Sequence, residues 1–336
     1  MRGIGFIGSS FVCGMGSFHA GGRSAYHLVV DSNSIPAAPR PCRVISTPHG
    51  ELRFGSRCLI MGILNVTPDS FSDGGRYLDP AAALDRAGQM VREGVDVIDI
   101  GGESTRPGSR GVSDAEQMAR VLPAIEAIRR GGIAVPISID TQSAQVAAAA
   151  LDAGTDIVND VSGARHDAGM PALLARSAAP FIIMHMLGTP EAMQAEPRYA
   201  DVVAEVGEFF LQRDACLAAA GVDVERNMMV DPGIGFGKTL EHNLSLIRAS
   251  AAAYGERWPV VIGASRKGFI GRILSESADG VTPAPASMEV QFGTAATVAH
   301  AALSGIDMVR IHDVAQMRSV VDICQRICSE DGAAGA

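Results

Sequence analysis

The sequence predicts a single (β/α)8 TIM barrel over residues 46–328, behind an N-terminal extension. Three features lead to that class. Eight short apolar runs recur from residue 59 onward, an Ala-rich segment with helical periodicity follows each run, and no long break interrupts the alternation. Eight β-loop-α units close most economically as one barrel, with a doubly wound open sheet as the alternative topology.

The runs occupy 59–64, 97–100, 136–139, 157–158, 181–184, 228–230, 260–262 and 308–311. The helical segments lie near 79–93, 114–130, 143–153, 168–177, 199–220, 240–254, 287–303 and 313–328. Asp79-Pro80 and Ser113-Asp114 supply N-caps for the first two, because their side-chain oxygens satisfy amides that a first helical turn leaves open. Stretches rich in Gly, Pro and Ser at 65–76, 101–113, 186–198 and 275–286 follow strands or interrupt a strand-to-helix link, which makes them candidate active-site loops. Residues 329–336 read as a flexible tail. Residues 1–45 are expected to be a disordered or mis-started extension, since their apolar run is broken by Gly and Ser, unlike an export signal.

Hydrophobic residues make up 47% of the chain and aromatics only 5%, so the core is built from Ala, Val, Ile and Leu, as suits helices on a parallel sheet. The net charge of −9, with no basic tract to reverse it locally, argues against nucleic acid or an anionic membrane as partner. A small anion remains compatible, because a few cations focused in a cleft outweigh the global field at short range. Cys13, Cys42, Cys58, Cys216, Cys324 and Cys328 lack CxxC spacing, so reduced thiols in a cytoplasmic protein are expected, with Cys324 and Cys328 as buried helical thiols. No run of about 18 apolar residues occurs.

In such a barrel the loops after the strands converge on one face, so polar residues at the strand ends are expected to share a site. They are Asn65; Asp99, Glu103, Thr105 and Arg106; Asp140; Asn159 and Asp160; His185; Asp231; Ser265, Arg266 and Lys267; and Arg310, His312 and Asp313. Any one of them alone is as readily a helix cap or a salt-bridge partner; eight strands ending this way point to a pocket. Asp140, Asn159 and Asp231 suit the donor-rich edge of a flat heterocycle. Lys267, Arg310, Arg106 and His312 suit phosphate or carboxylate, and Phe236 is placed to stack on a ring. Gly3-x-Gly5-x-x-Gly8 matches a dinucleotide fingerprint but has no βαβ unit around it. DPGIGFGKT at 231–239 fails the phosphate-loop spacing, because its first required glycine is Pro232; its glycines are expected to let backbone approach a flat ligand.

Seven strings carry the reading further. GILNVTPDSFSDGG (62–75), DIGGESTRPGS (99–109), ISIDT (137–141), VNDVSG (158–163), DPGIGFGK (231–238), GASRKGFIG (263–271) and VRIHDV (309–314) together resemble the dihydropteroate synthase family, in the family's order, over about 57–328. The resemblance implies condensation of 6-hydroxymethyl-7,8-dihydropterin diphosphate with 4-aminobenzoate, with Mg²⁺, in a homodimer. It implies Asn65 as the metal ligand, and Asp140, Asn159, Asp231 and Lys267 as pterin contacts. Thr105, Arg310 and His312 would be further contacts to the pterin diphosphate, and Met184 and Phe236 would pack on the pterin. Pro68, Phe71, Asp73, Arg106 and Gly268 would line the aminobenzoate side.

Two positions depart from the family's pattern. Gly268 replaces a frequent Ser after the SRK string, removing a hydroxyl near the expected aminobenzoate carboxylate, and Leu187 replaces a frequent Gln. Three rival readings remain: a pterin-binding methyltransferase on the same barrel, an aldolase-type enzyme with Lys267 as Schiff-base nucleophile activated by Arg266, and a pterin-binding barrel without turnover. The TPDSFSDGG and SRK strings argue against the first.

Overall fold

Side-chain alternation along each strand divides the apolar residues between two cores, one inside the barrel and one under the helices. The computed structural model describes residues 41–66, 79–103, 111–188, 193, 197–277 and 280–328. Eight parallel strands form the barrel: β3 (Leu59–Asn65), β4 (Val97–Gly101), β5 (Ile137–Asp140), β6 (Ile157–Asp160), β7 (Phe181–Met184), β8 (Met228–Asp231), β9 (Val261–Ile262) and β10 (Met308–Ile311). Their order is β8-β7-β6-β5-β4-β3-β10-β9, and a parallel bridge from Val230 to Val260 joins the two ends. That bridge rules out the open doubly wound sheet.

The inner core holds Leu59, Met61, Val97, Ile157, Ile182, Met229, Val261 and Met308. Their strand neighbours Ile60, Ile98, Val158, Phe181, Ile183, Val230, Ile262 and Val309 belong to the outer core instead. The outer layer consists of α1 (Pro80–Arg92), α2 (Asp114–Arg130), α3 (Ala144–Asp152), α4 (Met170–Ser177), α5 (Val202–Ala219), α6 (Val224–Asn227), α7 (Leu240–Tyr254), α8 (Gly268–Ser277), α9 (Met288–Leu303) and α10 (Val314–Cys328). Asp79 and Ser113 do cap α1 and α2, accepting from the N–H groups of Ala81 and Glu116.

Several sequence expectations change. Strands run one or two residues further than their apolar runs, through Asn65, Gly101, Asp140, Asn159-Asp160 and Asp231, because a barrel strand admits polar residues where its inner face opens into a pocket. Helix α8 was unforeseen, and the loop expected at 275–286 begins inside it; Gly268 and Gly271 weaken its helical signal. The hairpin of β1 (Arg43–Thr47) and β2 (Gly50–Phe54) was also missed, and β1 starts ahead of the expected 45/46 boundary. Its alternation puts Ile45, Leu52 and Phe54 into the inner core, where they plug the end of the barrel away from the polar strand ends. Cys324 is buried but Cys328 is exposed, contrary to expectation, and the described cysteines are unpaired. Among the described residues no helix is long and apolar enough to cross a membrane.

At the same end as the hairpin, three carboxylates tie neighbouring strands together. Asp96 accepts from Ile60 N at 2.8 Å, Asp156 from Ile137 N at 2.8 Å, and Asp307 from Val260 N at 2.7 Å. Asp156 is fully buried and also binds Arg129 (2.6 Å) and His49 (2.8 Å). Asp156→Ala leaves Arg129 without its carboxylate and is expected to cost about 3 kcal/mol of stability. Because the site lies at the opposite face, kcat/KM of the folded fraction should stay within twofold; denaturant unfolding beside steady-state kinetics checks both.

Candidate active site

Counting by two from the inner-core residues identifies the side chains that enter the barrel mouth. From Met61 the count reaches Asn65; from Val97, Asp99 and Gly101; from Ile157, Asn159; from Ile182, Met184; from Met229, Asp231; and from Met308, Arg310 and His312. Register pairing of Gly101 with Asp140, and of Asp140 with Asn159, places Asp140 in the same ring.

Arg310 is the hub. Its Nε donates to Asp99 Oδ2 at 2.6 Å and its Nη2 to Asp140 Oδ2 at 2.7 Å. The Asn159 Nδ2 reaches the other Asp99 oxygen at 3.4 Å. A Cβ on Gly263 would lie 3.8 Å from Asp231 Oδ2 and 3.9 Å from Arg310 Cβ, so glycine keeps the space beside those two groups open. Gly101 does the same between Asp140 and Asn65, whose Oδ1 is 3.8 Å from that Cβ position. Lys267 enters from the loop after β9, its ammonium 4.1 Å from the centre of the Phe236 ring. Met184 and Phe236 share a small apolar cluster with Val161, Met186 and Met193.

Burial dominates the electrostatics. It pushes the Asp231 carboxyl up, against the pull of the Gly233 N–H, Lys267 and Arg310. It also raises Asp140, where Arg310 opposes and Asp99 adds to the rise. Burial works against the Arg310 charge as well, but Asp99 and Asp140 more than restore it. Lys267 is lowered to about 8, by burial first and then by Arg310. The neighbouring cation that acts on Lys267 is therefore Arg310 and not Arg266, which pairs with Asp313 at 2.6 Å. Arg266 has a φ of 57°, a left-handed conformation held by that pair and by Thr294 Oγ1 on its N–H, and this turn aims Lys267 inward.

Not every strand-end polar residue joins the ring. Asp160, next to inward Asn159, points the other way and accepts from Ser162 and from Ala164 N. His185, next to inward Met184, turns back to Lys238. Glu103 holds Val112 N and Gln117 Nε2. His312 sits at the mouth with its Nδ1 3.0 Å from Ser265 Oγ. Thr105, Arg106, Pro68, Phe71 and Asp73 lie outside the described residues. Asp99 stands out among the strand-end residues because it joins Asn159 to Arg310, and its spacing of two from Val97 is the sequence signal for its inward direction.

The backbone also places the glycines singled out in the sequence. Gly268 opens α8, and a Cβ there meets nothing within 4 Å, so the position has room for the serine that the family's pattern favours. The glycines of 231–238 bring the loop close to the protein itself. Gly233 (φ 71°) passes so near β7 that a Cβ would lie 2.0 Å from His185 O, and Gly237 (φ 65°) packs on Leu187.

Comparison with known proteins agrees with this geometry. The family described as pterin binding enzyme matches residues 61–312. Dihydropteroate synthase of Synechocystis is 42% identical over 282 residues, covering 83% of this chain and 94% of the relative, and that of Bacillus subtilis is 40% identical over 290 residues, covering 86% and 95%. Among solved structures, Burkholderia cenocepacia dihydropteroate synthase complexed with 7,8-dihydropteroate superposes with a TM-score of 0.73 at 38% identity, covering 85% of this chain and 96% of that one. The Xanthomonas albilineans enzyme with 4-aminobenzoic acid gives 0.75 at 35% identity, covering 85% and 98%. With the inward ring and closed barrel already in place, these matches show that the chain belongs to the pterin-binding enzyme family, among the dihydropteroate synthases.

Proposed function

We propose that this protein condenses 6-hydroxymethyl-7,8-dihydropterin diphosphate with 4-aminobenzoate to give 7,8-dihydropteroate and diphosphate, a transferase step of folate synthesis. The observation that carries the reading is the inward ring of Asp140, Asn159, Asp231 and Arg310 with Lys267 above it. Asp140, Asn159 and Asp231 face the donor edge of the pterin, and Met184 and Phe236 pack on its surface. Lys267 contacts the pterin and reaches toward its diphosphate, which Arg310 and His312 receive, with Thr105 as a further contact. Pro68, Phe71, Asp73, Arg106 and Gly268 belong to the aminobenzoate side.

In the reaction the bond between the pterin methylene carbon and the diphosphate oxygen breaks, the electron pair leaving with the diphosphate. The aminobenzoate nitrogen bonds to that carbon and loses a proton. The arylamine is already neutral near pH 7, so no side chain is needed as an obligatory base. Catalysis then rests on stabilising negative charge on the leaving group and holding both partners in line. Asn65 offers a neutral amide oxygen, which suits Mg²⁺: this hard cation takes one or two protein oxygens and completes its shell with phosphate and water. When bound there, the ion would neutralise diphosphate charge.

Purified protein incubated with Mg²⁺, the pterin diphosphate and labelled 4-aminobenzoate should form labelled dihydropteroate. Pterin binding without product would overturn the synthase reading in favour of a binding protein. The reading extends to a homodimer, supported by exposed Met288 and Phe292, one turn apart on α9, and to a cytoplasmic location, supported by the unpaired thiols among the described residues.

A further inference from the structure

Lys238 is a buried cation that the proposed reaction does not use. It is 4% exposed, and among the described residues no carboxylate forms an ion pair with it. Its ammonium donates to Phe236 O at 3.0 Å and His185 O at 3.3 Å, and lies 3.1 Å from His185 Nδ1. Three N–H donors thus meet three acceptors. Burial lowers Lys238 to about 7, and burial followed by Lys238 itself lowers His185 to about 3, so His185 is neutral and presents Nδ1 as an acceptor. The ring of His185 is fixed edge-on to Phe209, with centroids 4.9 Å apart.

These contacts add a side-chain clamp between two segments whose backbones already meet, through His185 N on Asp231 O at 3.0 Å and the close approach of Gly233 to His185 O. His185 follows β7, whereas Phe236 lies in a loop containing Gly233, Gly235 and Gly237, all with positive φ. Such a loop has many backbone conformations to lose on ordering. Asp231 and Asn243 fix its near end through Gly233 N and Gly235 N, each at 2.7 Å, and Tyr199 Oη donates to Gly237 O at 3.0 Å. Lys238 is the group that binds the Phe236 carbonyl. The Phe236 ring in turn faces Lys267.

We propose that Lys238 is a positioning residue: by clamping the Phe236 carbonyl to the end of β7, it sets the aromatic wall against which Lys267 and the pterin are held. This rests on the proposed synthase function. The three acceptors around its nitrogen, two carbonyls and the His185 Nδ1, explain why an amine is needed here. Arginine is bulkier, and an apolar residue of equal length would fill the space but leave two carbonyls without a donor.

The test compares wild type with Lys238→Met and Lys238→Gln, each alone and in a Phe236→Ala background. Lys238→Met should raise KM and the calorimetric Kd for pterin diphosphate about tenfold, while KM for 4-aminobenzoate at saturating pterin changes less than twofold. Lys238→Gln keeps amide donors, and its effect should be smaller. In the Phe236→Ala background the further effect of Lys238→Met should fall below about twofold, the coupling expected of residues that act through one another. Unchanged pterin Kd in both Lys238 variants, an equal rise in both KM values, or additive effects with Phe236→Ala would overturn the inference. If Lys238→Met does not fold, the same readings on Lys238→Gln decide. Failure of wild type to make dihydropteroate would instead sink the synthase reading, and the pterin Kd would still report on Lys238.

Discussion

Lys267→Ala is expected to lower kcat/KM for the pterin diphosphate by about 10²–10³, the loss seen when one preorganised charge-stabilising donor is removed from an active site. The side chain stands over Phe236 at the barrel mouth, and Asp231 and Asp140 support its charge against burial. Stability should change little, since removing a desolvated ammonium also removes its desolvation cost. The pH dependence supplies a second check. Lys267 is held down at about 8, so it is charged below that pH and loses its charge as pH rises through it. Diphosphate binding that needs the ammonium must therefore weaken on the alkaline side, with kcat/KM for the pterin diphosphate declining above about pH 8. Lys267→Arg keeps its charge to much higher pH, so this limb should move upward or vanish. A wild-type profile flat to pH 10, or full activity in the alanine variant, would remove Lys267 from the anion site.

Arg310→Ala should damage stability and activity together. Arg310 links Asp99 and Asp140 through contacts of 2.6 and 2.7 Å, and its loss leaves two buried carboxylates facing one another. Breaking a buried pair of this kind costs about 3–5 kcal/mol, which for a barrel of this size lowers the thermal midpoint on the order of 10 °C. Turnover of the folded fraction should fall at least about a hundredfold, because the same guanidinium faces the proposed diphosphate site. Adding Asp99→Asn to Arg310→Ala removes one of the orphaned charges. That double variant should recover part of the lost midpoint in a thermal melt and none of the activity, separating the structural role of the pair from its role toward the substrate. Equal stability of wild type and Arg310→Ala would mean that the ion-pair hub carries no structural weight.

Much of this site was legible in the chain. The eight apolar runs located every strand of the barrel, and the residues that followed them included Asn65, Asp140, Asn159, Asp231, Lys267 and Arg310, because residues at strand C-termini face the mouth of a barrel whatever its detailed packing. The errors fell where adjacent residues compete for one direction. Asn159 with Asp160 on β6, and Met184 at the end of β7 with His185 just beyond it, are successive buried residues. Apolar residues on both sides hide which parity is the inner one, so polarity alone could not assign Asp160 and His185 to the outer side. Helix α8 was missed because two glycines weaken its local signal, while its packing against α9 and α7 is a tertiary matter.

Local pattern and ordered motifs were enough for the number of units, the closed-barrel class, the family and the set of polar residues at the strand ends, since each of these is written within a few neighbouring residues. The tertiary structure alone decided which of those residues meet. It made Arg310 the bridge between Asp99 and Asp140, paired Arg266 with Asp313, and placed Lys238 under the Phe236 carbonyl. Those contacts join strands and loops far apart in sequence, and their partners are chosen by barrel register and by the direction each side chain takes from its strand.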